Sequence, residues 1–356
     1  MAGLSEAPKG ERVHIAFFGL RNAGKSTLVN EFTLSPIAIV SDVPGTTTDP
    51  VSKAMEIKPL GPCLVTDTAG LDDTGELGAE RVRRTLEVLR LADVAVWVAG
   101  ANDAPIPEEL KKAKIPIIVH RRGDTAEDLR AKIAALDLGD VQTGLLDGLV
   151  KKGDHVLCVC PIDEAAPKGR LILPQVQVIR AALDVGARVT VVKPEDVENG
   201  DYALVVTDSQ AFAEVSKRLP PSAPLTGFSI LFARQKGDIG VYVSSLGEIG
   251  KLKDGDTVLV AEGCTHHRQC NDIGSVKIPA ALKKLSGKNL RFEFASGDQF
   301  ALGSDVKLVV QCGGCMLSRR EVLRRIGVCR DAGIPIVNYG MVLALAAGVE
   351  IERCVK

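Results

Sequence analysis

Short apolar runs recur along this chain with room for a helix between each pair. Residues 13–18, 62–66, 94–99 and 115–119 are apolar stretches of strand length, and polar, periodic segments separate them. Residues 26–32, 76–91 and 127–136 read as helices, the second carrying Val82, Leu86 and Leu89 on one face at helical spacing. Such alternation predicts an α/β domain with a mostly parallel sheet.

The alternation resumes further on. Residues 155–161, Arg188–Val192 and 203–207 read as strands, with helices over 175–183 and from Gln210, followed by an apolar run over 225–233. No ionisable cluster in this stretch suggests chemistry, so its expected role is architecture or self-association. The turn Lys253-Asp254-Gly255-Asp256 opens a third region, with strands at Thr257–Ala261, Arg291–Ala295 and Val306–Gln311 and a helix near 321–332. The prediction is three consecutive α/β domains over 11–148, 149–252 and 253–356, the last two smaller, Rossmann-like and built on parallel sheets. No internal repeat or low-complexity tract is visible.

Composition narrows the function. Of 356 residues, 46% are hydrophobic and 25% charged, ordinary globular values that supply real cores. A net charge of −1 without long basic or acidic blocks points away from nucleic acid and from anionic membrane surfaces. No stretch of about 18 uncharged apolar residues exists, so no membrane span is expected. Residues 1–9 lack an apolar signal core and read as a short disordered lead-in, and the chain is expected in the cytoplasm. Nine cysteines make an odd number for a disulfide scaffold in a chain too large to need one. Cys63, Cys158 and Cys160 lie in strand-like apolar runs and read as buried, inert thiols. Cys329 and Cys354 suggest no role, and Cys270 is at most a spare ligand.

The segment Gly19-Leu20-Arg21-Asn22-Ala23-Gly24-Lys25-Ser26, between a strand and a helix, is a phosphate loop. Its glycines let backbone N–H groups face phosphate oxygens, and the helix starting near Lys25 adds its positive end. Lys25 is expected to reach the β and γ phosphates, and the Ser26 hydroxyl to bind Mg²⁺. Asp67-Thr68-Ala69-Gly70 ends a strand where a Mg²⁺-associated Asp and a γ-phosphate-sensing Gly belong. Gly45-Thr46-Thr47-Thr48-Asp49 lies where a switch loop offers a Thr hydroxyl to Mg²⁺. That order is the order of Ras-like GTPases. The expected nucleotide set is Gly19, Asn22, Ala23, Gly24, Lys25, Ser26, Thr27, Thr46, Thr47, Asp67, Gly70 and Asp124, with Ser26, Thr47 and Asp67 on Mg²⁺. Leu71 stands where Ras-like proteins keep a water-orienting Gln, so hydrolysis should be slow. Asp72 and Asp73 read as solvated loop acids ahead of water-positioning groups. Where Asn-Lys-x-Asp should read guanine, the chain has Arg121-Arg122-Gly123-Asp124. Asp124 can still accept from the guanine N1–H and amino group. No last strand or Ser-Ala base loop is visible between Thr125 and Asp154.

Near the C-terminus stand Cys264-Thr265-His266 and Cys312-Gly313-Gly314-Cys315. Gathered thiolates select iron–sulfur clusters or zinc, and three of them leave one iron of a cluster open. Cys264 lies three residues beyond one predicted strand and Cys312 directly after another, so both belong at the carboxyl edge of a sheet, where ligands gather. Zinc in a Cys₃His site, completed by His266 or His267, is the competing occupant. Ligands spread over separate strands favour the cluster, with His266 a labile or outer-shell group. Arg319 and Arg320 read as exposed helix residues.

Gly45-Thr46-Thr47 resembles the TrmE–Era–EngA group of GTPases, in which the residue equivalent to Asn22 helps hold a K⁺ that stands in for an arginine finger. That resemblance implies Lys25, Asn22 and Thr47 as the catalytic set. The whole chain resembles the FeFe-hydrogenase maturation GTPases of the HydF family. The likeness rests on Cys264, His266, Cys312 and Cys315, on Pro167-Lys168-Gly169-Arg170-Leu171-Ile172-Leu173-Pro174-Gln175 and on Thr207-Asp208-Ser209-Gln210-Ala211-Phe212. It implies a GTPase domain, a dimerisation domain and an iron–sulfur domain in a homodimer. It further implies a scaffold that binds a 4Fe–4S cluster, receives a di-iron precursor from radical-SAM maturases and delivers it to the FeFe-hydrogenase apoprotein. GTP/GDP, Mg²⁺ and K⁺ would serve switching. The alternative is a zinc-containing regulatory GTPase of the RNA-modification or ribosome-assembly type.

Overall fold

The computed structural model describes residues 9–34, 50–136, 138, 144–162, 171–264, 272–297 and 299–355. The chain divides into two compact units, Met1–Val141 and Gln142–Lys356.

In the first unit the elements run β1 (Val13–Gly19), α1 (Lys25–Thr33), β2 (Val51–Ile57), β3 (Gly61–Asp67), α2 (Gly75–Leu91), β4 (Val94–Val98), α3 (Glu108–Lys112), β5 (Ile117–His120) and α4 (Ala126–Ala134). The sheet order is β2-β3-β1-β4-β5, parallel except for β2 against β3. Every residue of β1 and β4 is buried. Successive side chains of a strand point to opposite faces, so Phe17 joins Phe32, Leu129 and Ile133 in one core layer while Phe18 joins Trp97 and Leu110 in the other. The Phe17 and Phe32 rings meet edge to face at 5.4 Å.

Two features depart from the pattern read in the sequence, and a third fixes the place of the expected last helix. Strand β2 was not expected: Ser52, Lys53 and Glu56 dilute its apolar signal, because as an edge strand it alternates half-buried with exposed positions. Helix α2 buries Gly78, Thr85 and Leu89, whereas Leu86, expected on that face, is 37% exposed. Small residues win because α2 closes tightly on the segment after β3: a Cβ on Gly78 would stand 2.9 Å from the Asp73 carbonyl carbon. Finally, α4 packs on α1, with Arg130 donating to the terminal carbonyls of Phe32 and Glu31 at 3.1 Å each, the favoured place for a cation on a helix. Among the described residues no strand beyond β5 joins this sheet.

The second unit holds β6 (His155–Val159), α5 (Leu173–Asp184), β7 (Arg188–Val192), β8 (Leu204–Thr207), α6 (Phe212–Arg218), β9 (Leu225–Gly227), α7 (Phe228–Lys236) and α8 (Ile239–Ser245). It continues with β10 (Thr257–Ala261), α9 (Ile278–Ser286), β11 (Arg291–Ala295), β12 (Val306–Gln311), α10 (Arg319–Asp331), β13 (Ile336–Asn338), α11 (Tyr339–Ala346) and α12 (Ile351–Val355). Two all-parallel sheets result, β7-β6-β8-β9 and β11-β10-β12-β13. Their strand orders are the same, a duplication of topology that no repeat in the sequence betrays. The apolar run over 225–233 is not one element: it breaks at Gly227 into β9 and α7. The two sheets share one core, in which Phe212, Ile230 and Tyr242 meet Val309, Ile326 and Met341. Among the described residues no helix is long and apolar enough to cross a membrane.

Candidate functional sites: a phosphate loop and a cysteine centre

The loop between β1 and α1 turns through two left-handed residues, Asn22 (φ 56°) and Gly24 (φ 90°). Helix α1 then starts at Lys25 without a side-chain cap, leaving its first N–H groups available for an anion. Asn22 and Thr27 are exposed, Ala23 half-buried. Lys25 is buried, its Nζ donating to the carbonyls of Leu20 at 2.7 Å and Gly19 at 3.3 Å. Burial lowers its pKa, against the charges of Asp67, Asp72 and Asp73.

Asp67, at the end of β3, accepts the Ser26 hydroxyl at 2.7 Å through Oδ2. Among the described residues its Oδ1 is buried without a hydrogen-bond partner, and burial raises its pKa. A hydroxyl beside an acidic oxygen with spare capacity is the hard-donor chemistry Mg²⁺ takes, so Ser26 and Asp67 fit that ion. Thr46 and Thr47 lie outside the described residues.

Asp73 is not a solvated loop acid, whereas Asp72 is exposed, as expected. Asp72 Oδ1 accepts the Arg21 N–H at 2.7 Å, and Asp73, its side chain 6% exposed, pairs with Arg21 at 3.6 Å and Arg81 at 3.2 Å. These contacts bind the phosphate loop to the segment after β3. Gly70 permits the approach: a Cβ there would stand 2.9 Å from the Arg21 nitrogen. The Leu71 N–H donates to the Gly19 carbonyl at 3.3 Å. Asp124 stands just beyond β5 but closes its own turn, accepting the Arg121 N–H at 2.9 Å with Lys132 at 3.8 Å. That backbone hydrogen bond is the main reason its pKa is lowered.

In the second unit β10 and β12 are parallel neighbours, with β11 wound to one side and β13 to the other. The crevice beyond such a reversal is where open α/β sheets hold ligands. Cys264 and Cys312 leave these two strands at that crevice, and the Gly263 N–H donates to Cys312 Sγ at 3.1 Å. Burial pushes the Cys264 thiol up to about 12, and the charges of Cys312 and Cys315 add to the rise. Burial likewise brings Cys315 to about 11, with Cys312 adding and Lys236 opposing. Cys264 and Cys312 thus follow adjacent strands with Cys315 in the next turn, and thiols are the donors that soft metals and iron–sulfur clusters take. Among the described residues no three His, Cys, Asp or Glu side chains close into a metal-holding group. His266, with His267 and Cys270, lies outside the described residues.

Several residues around this centre escaped the sequence reading. Arg325 is fully buried and donates to Glu321 at 2.9 Å and to the Glu262 carbonyl at 3.4 Å. Burial would raise the Glu321 pKa, but hydrogen bonds from Arg324 and Arg325 hold it below the usual carboxylate range. Gln311, one residue before Cys312, has both carboxamide atoms buried without partners, as is the Tyr339 hydroxyl. Lys236 reaches the Cys312–Cys315 turn from α7. The signal was present: Lys236 follows Phe228 and Phe232 at helical spacing, and Arg325 sits among Val322, Ile326 and Cys329. Arg319 is not a free surface cation but donates to the Gln235 carbonyl at 2.9 Å. Cys63, Cys158 and Cys160 are buried with raised pKa values, as expected, and Cys329 and Cys354, for which the sequence suggests no role, are buried with raised pKa values too.

Comparison with known families decides what frame these sites belong to. The hydrogen maturase F dimerization domain matches residues 145–237 and the hydrogen maturase F tetramerization domain residues 240–356. The chain belongs to the hydrogen maturase F family. Residues 14–122 match the 50S ribosome-binding GTPase family, so the first unit carries a GTPase domain. Two curated relatives each match about a third of the chain. The tRNA modification GTPase MnmE of Methylorubrum populi is 38% identical over 122 residues, 33% of this chain and 27% of the relative. The human mitochondrial 5-taurinomethyluridine-[tRNA] synthase subunit GTPB3 is 40% identical over 111 residues, 30% of this chain and 22% of the relative. The chain thus spans about a quarter of the length of these relatives. A solved structure of an Aquifex aeolicus Era variant bound to GDP·AlF₄⁻ covers 80% of this chain and 92% of its own at 17% identity, with a TM-score of 0.27. Hydrogen maturase F domains across the second unit do not favour the zinc-containing RNA-type alternative.

Proposed function

We propose that this member of the hydrogen maturase F family is a nucleotide-switched scaffold for metallocluster assembly. Cys264, Cys312 and Cys315 hold a 4Fe–4S cluster, with His266 at or beside its remaining position. The cargo is a di-iron precursor, received from radical-SAM maturases and delivered to the FeFe-hydrogenase apoprotein. An exchangeable iron position supplies the attachment a transferable guest needs. What supports this reading is the placement of Cys264 and Cys312 just beyond the neighbouring strands β10 and β12, at the strand-order reversal, with Cys315 in the turn that follows.

GTP is the substrate of the first unit. Lys25 neutralises phosphate charge, the N-terminus of α1 receives it, and Ser26 and Asp67, with Thr47, hold Mg²⁺. Asn22 with K⁺ would take the place of an arginine finger. Asp124 is the remaining candidate guanine reader. Leu71 offers no hydrogen bond to a water, which fits slow turnover.

Self-association has a physical basis in the second unit. Strand β7 pairs with β6 on one side, and among the described residues no strand pairs its other side, while Val191 is 44% exposed. Such an edge is a template for a second copy, which fits a homodimer. The cytoplasm suits the eight described free thiols.

The test is nucleotide hydrolysis by the anaerobically purified protein, GTP against ATP and K⁺ against Na⁺. Slow, K⁺-stimulated hydrolysis confined to GTP is expected. Hydrolysis indifferent to base and cation would remove the switch from this account.

A further inference from the structure

Lys236 ends α7, an element of the region matched by the dimerization domain, yet its ammonium group lies inside the cysteine loop. It is 4% exposed, and its Nζ donates to the carbonyls of Leu317 at 2.8 Å, Cys315 at 3.1 Å and Gly314 at 3.3 Å. Three donors meet three acceptors, the full capacity of a lysine head group. The ammonium also lies 5.4 Å from the Phe232 ring centroid. Burying an ammonium is costly unless it is hydrogen-bonded as completely as this.

The loop is pressed against the same helix at its other end. A Cβ on Gly313 would stand 2.9 Å from Ser229 Cα and 3.0 Å from the Ser229 carbonyl oxygen, so only glycine fits there. Asn338 links the helix start to the strand before the loop, reaching Ser229 Oγ at 3.3 Å and the Gln311 carbonyl at 3.4 Å. The carbonyls of residues 314, 315 and 317 therefore turn toward Lys236. The Leu317 N–H closes the turn on the Gly314 carbonyl at 2.9 Å. Helix α7 thus acts as the floor of the cysteine centre.

We propose that Lys236 is a positioning residue for that centre: it gathers three loop carbonyls to preset the Cys312–Cys315 turn and places a fixed positive charge beneath whatever the thiolates hold. The proposal rests on the reading that Cys264, Cys312 and Cys315 hold a cluster. Its consequence is redox. Adding an electron to a thiolate-bound cluster adds negative charge, which a nearby buried cation favours. It also makes the region named for dimerization a structural part of the metal site.

The test compares wild type with Lys236→Arg, Lys236→Gln and Lys236→Met, each reconstituted anaerobically with ferrous iron and sulfide. The readouts are reduction midpoint and rate of iron loss to a chelator. Lys236→Arg keeps the charge but not the compact three-donor head, so its midpoint should stay near that of wild type while its iron loss rises. The neutral variants should need about a tenfold larger driving ratio for reduction, ~59 mV for one electron, and lose iron several-fold faster. An unchanged midpoint and iron-loss rate in a folded neutral variant overturn the proposal. Should neither neutral variant fold, amide hydrogen exchange on metal-free wild type decides. Slow exchange at Leu317 supports a preset loop, and exchange at the unstructured rate overturns it. If wild type itself takes up no iron and sulfide, the cluster reading fails, while the exchange result still judges the clamp.

Discussion

The phosphate loop and the cysteine centre occupy equivalent places, each beyond the carboxyl ends of parallel strands, yet they are built in opposite ways. The phosphate loop is local: eight consecutive residues supply the turn, the helix start, Lys25 and Ser26, and one further strand brings Asp67. The cysteine centre is assembled from distance. Its thiols leave β10 and β12, its floor is α7, and its second buried cation, Arg325, comes from α10. A local site tolerates change around it, because the loop carries its own conformation. An assembled site depends on the packing of two sheets and answers to residues that touch no ligand.

That contrast can be broken first at Glu321. Its side chain and that of Arg325 are each 1% exposed and stand 2.9 Å apart, so Glu321→Gln leaves a buried guanidinium without its counter-charge. The loss should be about 3–5 kcal/mol in urea unfolding of the full chain. The pH dependence follows from the sign. Glu321 has a folded pKa below its unfolded value of about 4.3, so its stabilisation is fully present above that value. It is lost as pH falls through the folded pKa. The gap between wild type and variant should narrow on acidification below about pH 4, and a gap of constant size would contradict the pairing.

A smaller effect is expected at the phosphate loop. Asp72 holds the Arg21 N–H at 2.7 Å, a donor of the loop that cradles phosphate, and its charge opposes an incoming anion. Asp72→Ala should tighten binding of a fluorescent GTP analogue by about fivefold, roughly 1 kcal/mol. Weakened binding would show that the contact supports the loop instead of competing with nucleotide.

The same contrast explains what could be read in advance. Strands β1, β4, β10 and β12 were legible because they are buried and carry long apolar runs. Strand β13 was not, being three residues that merge into the apolar start of α11. The phosphate loop was legible because its chemistry is contiguous. At the other site the thiols announced themselves, but Lys236 and Arg325 looked like ordinary helix cations. Only the packing of α7 and α10 against the cysteine turn gives them meaning. Asp73 shows a related limit: a loop acid looks solvated until its partners, Arg21 and Arg81, are seen in space.

The central claim is that Cys264, Cys312 and Cys315 hold an iron–sulfur cluster. Iron and acid-labile sulfide per chain, measured after anaerobic reconstitution of wild type and of Cys264→Ala, Cys312→Ala and Cys315→Ala, test it most directly. The account predicts about four of each per wild-type chain and loss of most of both in every variant, with GTP hydrolysis retained. Stoichiometric zinc in place of iron, or iron and sulfide held equally well without the thiols, would contradict it.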